Sequence, residues 1–272
     1  MDSSHRHQET AFTFTCLLIG NTVLFTSAAT ICLSLSLLTN YWEHVTFDIS
    51  KVQKVADINN HSIIWTDNRI ARINVSNPNK GMEGANVLSN PNHTGVLYLF
   101  SLHGGVHSLC PDVTVKEKEF LQKEGVPIRC YSYLAPKDMV FKNTRLDRMR
   151  NLAMSCAMVS LILLASSALV GTFGLAKRQI SAIMVTGVMF ILAALFGTFT
   201  LAFMYFKRLK PASFNTNTVI DNGVPQEYLN TRVFTFGWSA SLGWSGITLC
   251  VITSILWLLL ARVLRYQVLC TT

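Results

Sequence analysis

Four long stretches of the chain contain no Asp, Glu, Lys or Arg, and this pattern predicts the architecture. They span residues 11–42, 151–176, 179–206 and 233–261. Each exceeds the roughly 20 residues that a helix needs to cross a hydrocarbon core about 30 Å thick. The pattern therefore predicts four transmembrane helices with these bounds.

The polar segments between these runs have very unequal lengths. Ten residues (1–10) precede the first span, and a long first loop covers 43–150. The second connection is only residues 177–178, so spans two and three are predicted to form a tight antiparallel hairpin. A shorter loop (207–232) and a tail (262–272) complete the chain. Only the first loop is long enough to hold a small folded domain.

Parts of the first loop alternate between apolar and polar residues, as half-buried strands do. Strands are predicted within 44–49, 69–75, 94–102 and 126–134. The charged stretch 111–125 is compatible with a helix at the surface. The loop is thus expected to form a small antiparallel β-sheet.

Composition narrows the class of protein further. Half of the residues are hydrophobic and 14% are charged, well below the roughly 25% charged residues of soluble domains. The net charge of +8 does not indicate nucleic-acid binding. Fourteen of the 23 Lys and Arg residues lie in the first loop, where eleven Asp and Glu residues are interleaved with them. Such a mixture is a solvated surface and not a basic stripe.

The side of the membrane on which each loop lies is predicted from glycosylation sequons. Asn60, Asn74 and Asn92 each begin an N-x-[ST] sequence, and all three lie in the first loop. The distribution of Lys and Arg favours neither orientation. The sequons favour an extracellular first loop, both termini in the cytosol, and a multi-pass protein of the plasma membrane.

Cysteine positions agree with this orientation. Four of the seven cysteines fall inside spans, and only Cys110 and Cys130 lie in a loop, the one with the sequons. Two cysteines in an oxidising compartment most simply form one disulfide. Cys270, in the tail near Arg262 and Arg265, is a candidate palmitoylation site.

The stretch LHGGVHSLC (residues 102–110) raises the question of a metal site, because His103 and His107 stand close to Cys110. The sequence offers no third or fourth ligand nearby, as a zinc site requires. A glycine turn that leads into a disulfide cysteine is the favoured interpretation. A pH-sensing histidine is the alternative, and no metal is predicted.

No catalytic pattern occurs in the chain. The sequence lacks a G-x-S-x-G motif, an H-E-x-x-H motif and a P-loop. The spans also lack the charged residues that pumps and transporters normally place in the membrane. The protein is therefore not expected to be an enzyme or to use a cofactor.

Several short motifs resemble the claudin superfamily, and within it the calcium-channel gamma subunits and transmembrane AMPA-receptor regulatory proteins. Thr-Asn-Tyr-Trp, ending at Trp42, is similar to T-D-Y-W of that branch. The stretch His103–Cys110 resembles its H-S-G-L-W-x-x-C signature, with Gly105, Val106 and His107 in place of G-L-W. Arg150 matches an arginine usual before span two, and Gly237-Trp238 resembles the Y-G-W-S-F-Y motif that opens span four.

This resemblance implies a fold and a set of partners. The fold would be a left-handed four-helix bundle with a small extracellular antiparallel β-sheet, held by a Cys110–Cys130 bridge. The function would be that of a non-enzymatic auxiliary subunit, which modulates gating or trafficking of an ion channel or receptor. The alternative is a claudin-type junction or adhesion protein that binds itself within one membrane or across a cell contact.

Two features of the spans bear on packing. Gly237, Ser241 and Ser245 recur every four residues and form a candidate face for a partner's transmembrane helix. Asn21 in span one is expected to make an interhelical hydrogen bond within the bundle. The lipid bilayer is the first partner that the composition implies.

Overall fold

The computed structural model describes the backbone of residues 2–66, 69–74, 96–126, 128–133, 145–209 and 224–271. The chain divides into two compact units. The helix unit comprises Met1–Leu38, Met149–Met204 and Ser239–Thr272, and the loop unit comprises Thr39–Arg148 and Tyr205–Trp238. In chain order the elements are α1 (Asp2–Leu38), β1 (Glu43–Phe47), α2 (Ile49–Asn59), β2 (Ser62–Thr66), β3 (Ile70–Asn74), β4 (Val96–Phe100), β5 (Leu102–Gly104), β6 (Ser108–Pro111), α3 (Val115–Lys123), β7 (Tyr131–Ser132), α4 (Arg145–Lys177), α5 (Ile180–Leu209), α6 (Gln226–Leu229), β8 (Arg232–Phe236) and α7 (Trp238–Thr271).

Among the described residues, four helices are long and apolar enough to cross a membrane, which confirms the four predicted spans. The qualifying segments are Thr13–Leu38, Arg148–Lys177, Ile180–Phe206 and Trp238–Gln267. The predicted bounds shift at the first and last spans. Helix α1 ends at Leu38 and not at residue 42, and α7 begins at Trp238 and not at residue 233.

Buried hydroxyl and indole groups link neighbouring helices of the helix unit. Ser160 on α4 donates to the carbonyl of Ala193 on α5 at 3.0 Å. Ser254 on α7 donates to the carbonyl of Gly187 at 2.7 Å, and Trp257 donates its indole N–H to Thr26 on α1 at 3.0 Å. Because hydrocarbon offers no competing water, such bonds hold helices in register.

In its described residues the loop unit forms two antiparallel sheets, where the sequence predicts one. The larger sheet has the strand order β7-β6-β5-β1-β8, and the smaller has the order β2-β3-β4. Val45, Leu102 and Leu109 of the larger sheet share a buried cluster with Ile70 and Tyr98 of the smaller one. Both sheets therefore contribute to a common apolar layer.

The second face of the smaller sheet is also buried. Ala71 and Leu97 on that face pack with Val52 of α2 and Tyr228 of α6. Strand β4 is accordingly buried on both sides, which explains its continuous apolar sequence Val-Leu-Tyr-Leu-Phe. The loop unit thus has a layered core, ordered from the five-stranded sheet through the three-stranded sheet to α2 and α6.

Polar residues at the helix ends fix the two longer helices of the loop unit. Asp48 caps α2 by accepting hydrogen bonds from the backbone N–H groups of Ser50 and Lys51. Thr114 and Glu117 form a reciprocal capping box at the start of α3. The helix expected in the charged stretch is therefore present, whereas α2 is an addition to the predicted elements.

Candidate functional site

Three separate segments of the loop unit bring the family-like residues together. The backbone N–H of Trp42 donates to the carbonyl of Gly104 at 2.9 Å, and the N–H of Gly237 donates to the carbonyl of Trp42 at 2.9 Å. We call Tyr41, Trp42, Gly105, Gly237 and Trp238 the signature cluster. Trp42 lies at its centre and is only 3% exposed.

Close backbone approach explains both glycines of this cluster. A Cβ atom at Gly105 would lie 2.7 Å from the Cα of Asn40 and 2.9 Å from the carbonyl oxygen of Thr39. A Cβ atom at Gly237 would overlap the carbonyl group of Tyr41. The two glycines therefore allow the turn after β5 and the segment before α7 to pack against the segment that follows α1.

An aromatic row extends from the signature cluster onto the sheet. The rings of Trp238 and Tyr41 are stacked with centroids 5.7 Å apart, and those of Tyr41 and His103 are stacked at 4.6 Å. Trp238 remains half exposed. Stacking on Tyr41 orients the imidazole of His103. The sequence alone associates this histidine only with the glycine turn that leads into Cys110.

His107 occupies the position where the resembled signature has tryptophan. Both ring nitrogens are buried, and neither has a hydrogen-bond partner. Burial lowers the pKa of His107 because it penalises the charged imidazolium. The backbone carbonyl of His107 accepts a hydrogen bond from the N–H of Tyr133 at 2.9 Å. The half-buried side chain thus carries two polar atoms without hydrogen-bond partners.

The predicted disulfide is present. Cys110 on β6 is bonded to Cys130, which directly precedes β7. The bridge closes the loop that contains α3, and Cys110 is 4% exposed. It therefore fixes the β7 edge of the five-stranded sheet.

A second polar group forms on the same sheet, and the sequence gives little sign of it. His44 on β1 lies directly opposite His103 on β5 in the strand register. The Nδ1 atom of His44 lies 4.0 Å from the Oδ2 atom of Asp112, and the Nη2 atom of Arg69 lies 4.0 Å from the same oxygen. Burial lowers the pKa of His103; the Asp112 carboxylate opposes this effect and His44 adds to it.

The remaining predicted residues are spread over both units. Asn60 is exposed in a left-handed conformation (φ 55°) at the C-terminus of α2, Asn74 ends β3, and Asn92 lies outside the described residues. Arg150 is partly buried on α4. Cys270 lies near the end of α7, and its side chain is outside the described part of the chain.

The candidate partner face on α7 is smaller than the sequence spacing indicates. Ser241 and Ser245 are exposed on the helix, but Gly237 precedes the helix and is buried. Asn21 also departs from expectation, because it is exposed on α1 rather than placed in the bundle interior. Ser241 and Ser245 are therefore the exposed part of this face.

Comparison with known families agrees with the fold of four apolar helices and a small antiparallel sheet. A family model described as PMP-22/EMP/MP20/Claudin tight junction matches residues 95–259, more than half of the chain. The chain therefore belongs to this family of four-span membrane proteins. No curated protein matches the chain significantly. Membership points to a non-enzymatic protein of the lipid bilayer.

Proposed function

We propose that this protein is an auxiliary subunit of the plasma membrane that modulates the gating or trafficking of a pore-forming channel or receptor. A modulator of this kind must contact two states of its partner with different free energies. The helices would pack laterally against the partner's spans, and the loop unit would face the extracellular side. Both termini would then lie in the cytosol.

The contact between the two branch-like motifs supports this proposal. The residues that resemble T-D-Y-W and Y-G-W-S are those joined by the Gly237-to-Trp42 hydrogen bond and by the stacking of Trp238 on Tyr41. The second of these motifs resembles the gamma and regulatory-protein branch more than it resembles most claudins. Because the two motifs contact each other in the fold, chance is a weaker explanation for the resemblance of both to the same branch.

The exposed serines on α7 suggest where a partner helix would lie. Small side chains allow two helix backbones to approach closely in a membrane. The Ser245 hydroxyl already donates to the carbonyl of Leu242 at 2.9 Å, so it places no unsatisfied polar group against lipid or a partner. Ser241 and Ser245 form a shallow, neutral surface suited to an apolar partner helix.

The alternative function is that of a claudin-type junction protein. The family match does not distinguish it from an auxiliary subunit. In that case the loop unit would bind further copies within one membrane or across a cell contact, and its charged residues would set paracellular selectivity. Three potential glycans on the first loop would crowd a tight contact, which lowers the rank of this alternative.

Copurification from the native membrane tests the proposal. The tagged protein would be extracted in a mild detergent and its partners identified for the wild type, for Ser241→Leu and Ser245→Leu, and for the control Ser155→Leu. Ser155 is an exposed serine on α4, so it matches the chemistry of the change on another helix. A stoichiometric pore-forming subunit that is lost only from the α7 variants is expected. Recovery of junctional proteins alone would contradict the proposal.

A further inference from the structure

Two histidines form a cross-strand pair on the face of the five-stranded sheet that is turned away from the buried cluster. His44 and His103 are directly opposite in the β1–β5 register, whereas the next pair, Val45 and Leu102, projects into the cluster. Side chains of opposed residues project from the same face of a sheet, and the two ring centroids are 6.4 Å apart. On its other side His44 lies opposite the uncharged Thr235 of β8. A proton on one imidazole therefore repels a proton on the other.

Asp112 lies between this pair and a cation of the other sheet. Its Oδ2 atom is 4.0 Å from the Nδ1 atom of His44 and 4.0 Å from the Nη2 atom of Arg69. Both separations exceed a hydrogen bond, so the carboxylate is held firmly by neither group. The backbone N–H of Asp112 donates to the carbonyl of Ser101 at 2.8 Å, which keeps the residue beside the start of β5. A small rotation of the side chain therefore decides which of the two groups it contacts.

Arg69 connects this carboxylate to the three-stranded sheet. It directly precedes β3, and its backbone N–H donates to the carbonyl of Thr66, the last residue of β2, at 3.1 Å. The side chain of Arg69 is 47% exposed and that of Asp112 is 39% exposed. The Arg69–Asp112 contact thus links the turn between β2 and β3 to the five-stranded sheet through a solvent-exposed ion pair.

The charge balance of this group depends on the histidines. While both imidazoles are neutral, Asp112 has one cation, Arg69, beside it. Imidazole is the side chain whose charge changes between about pH 5 and 8. A proton on His44 places a second cation 4.0 Å from the Oδ2 atom, the distance at which Arg69 already lies. The imidazolium then competes with the guanidinium for a single carboxylate.

His103 is the less favourable place for the first proton. Burial lowers the pKa of His103; Asp112 opposes this effect and His44 adds to it. The Nδ1 atom of His103 is buried with no hydrogen-bond partner, so no acceptor is in place for a proton there. Among the described residues, the pair is otherwise faced by the Tyr41 ring, which stacks on His103 at 4.6 Å, and by Cys110, whose sulfur is in the disulfide. The first proton therefore belongs to His44.

We propose that acid regulates the loop unit by opening this contact between its two sheets: a proton on His44 draws Asp112 away from Arg69 and releases the turn between β2 and β3. Solvent supplies the proton, because the side chain of His44 is 31% exposed. The strands keep their backbone pairing, so the change is confined to the turn that carries Arg69. This regulation is independent of the partner that the protein binds, and it changes the surface that the loop unit presents in an acidic compartment.

Hydrogen–deuterium exchange of the full-length protein in nanodiscs tests the proposal. Protection of the turn peptide that carries the Arg69 amide would be compared at about pH 7.5 and about pH 5.5, after correction for the intrinsic pH dependence of exchange. Helix α2 is the internal reference and should keep its protection. For an exposed ion pair, a fall in protection of the turn by about 1.5- to fivefold at the lower pH is expected.

Three variants identify the groups involved. His44→Gln should stay protected at both pH values, because it cannot gain the charge. Arg69→Gln and Asp112→Asn should show the lower protection at both, since the contact is already broken. The controls are His61→Gln, at a histidine bonded to α6, and His107→Phe, in the turn between β5 and β6. Both controls should respond to pH as the wild type does.

Two results would overturn the assignment. The first is protection of the turn that does not change with pH in the wild type. The second is a pH response that survives in His44→Gln, or one that disappears in His61→Gln or His107→Phe, because the proton would then act elsewhere. If His44→Gln fails to fold, the test rests on Arg69→Gln, in which a remaining pH response of the turn would equally overturn the proposal.

Discussion

At the scale of single residues, Gly237 makes the strongest steric demand in the signature cluster. Gly237→Ala would drive a methyl group into the carbonyl of Tyr41, and backbone cannot retreat as a flexible side chain can. We expect a loss of about 2–3 kcal/mol in stability, as for severe overpacking, seen as a lower melting temperature and poor delivery to the cell surface. Gly20→Ala is the matched control, because no atom lies within 4 Å of its added Cβ. Equal behaviour of the two variants would contradict this prediction.

His107 gives the loop unit a pH dependence whose sign follows from burial. Burial lowers the pKa of His107 below its ordinary value of 6.5, so the folded protein resists a proton that the unfolded chain accepts. The stability associated with His107 is therefore complete above about pH 6.5 and declines as the pH falls from there toward the folded-state pKa.

Replacement of His107 by phenylalanine removes both this titration and the two unsatisfied nitrogens. His107→Phe is expected to raise the melting temperature at neutral pH, since each unsatisfied buried polar group costs about 1–3 kcal/mol. It should also lose less stability than the wild type between about pH 7.5 and about pH 5.5. Thermal unfolding followed by tryptophan fluorescence measures both effects. Parallel pH profiles for the two proteins would exclude His107 as the source.

At the scale of elements, the Cys110–Cys130 bridge holds the β7 edge of the five-stranded sheet. Strand β7 has only two residues, too few to hold its place by backbone hydrogen bonds alone. The bridge spans a sequence separation of 20, for which the chain-entropy model gives roughly 3 kcal/mol. The Cys110→Ser/Cys130→Ser double variant should lose stability by about this amount, as judged by thermal unfolding. Cys16→Ser, at an exposed thiol on α1, is the control and should match the wild type.

The elements also show where the sequence pattern is informative and where it is ambiguous. The four spans follow from length and hydrophobicity alone. Strand β8 does not, because Val233, Phe234 and Phe236 join the uncharged run of span four with no charged residue between them and the helix. Their β-branched and aromatic side chains suit a strand, but only pairing with β1 in the folded loop unit decides the outcome. Helix α2 was not predicted from the sequence either, because its buried face is short and its only N-terminal signal is the capping residue Asp48.

Long-range pairing similarly limits what could be foreseen about the candidate sites. Sequence order placed His103 beside His107 and gave no sign of a partner on another strand. The strand register instead pairs His103 with His44, and Asp112 joins them after β6. The disulfide could be predicted because only two cysteines lie outside the spans and tail, which left one choice of partner. A histidine, unlike a cysteine in an oxidising compartment, has no single preferred partner, so its neighbours cannot be predicted by counting residues.

At the scale of the whole molecule, four spans require both termini to lie on one side of the membrane. The hairpin between α4 and α5 then lies on the same side as the termini, and the loop that contains β1 to β7 lies on the other side. Glycosylation at Asn60 or Asn74 would therefore report the orientation of the entire chain, because oligosaccharide transfer occurs only in the lumen of the secretory pathway.

Enzymatic removal of N-glycans gives the test of that orientation. Wild-type protein from animal cells should shift to lower mass on treatment, and the Asn60→Gln/Asn74→Gln/Asn92→Gln variant should show no shift. A fourth sequon introduced next to Arg178, in the two-residue turn between α4 and α5, is the topological control and should stay unmodified. If the new sequon in the turn were glycosylated and the first loop were not, the orientation of the chain would be the reverse of the one proposed. That result would also place the disulfide in a reducing compartment, where a Cys110–Cys130 bridge would not persist.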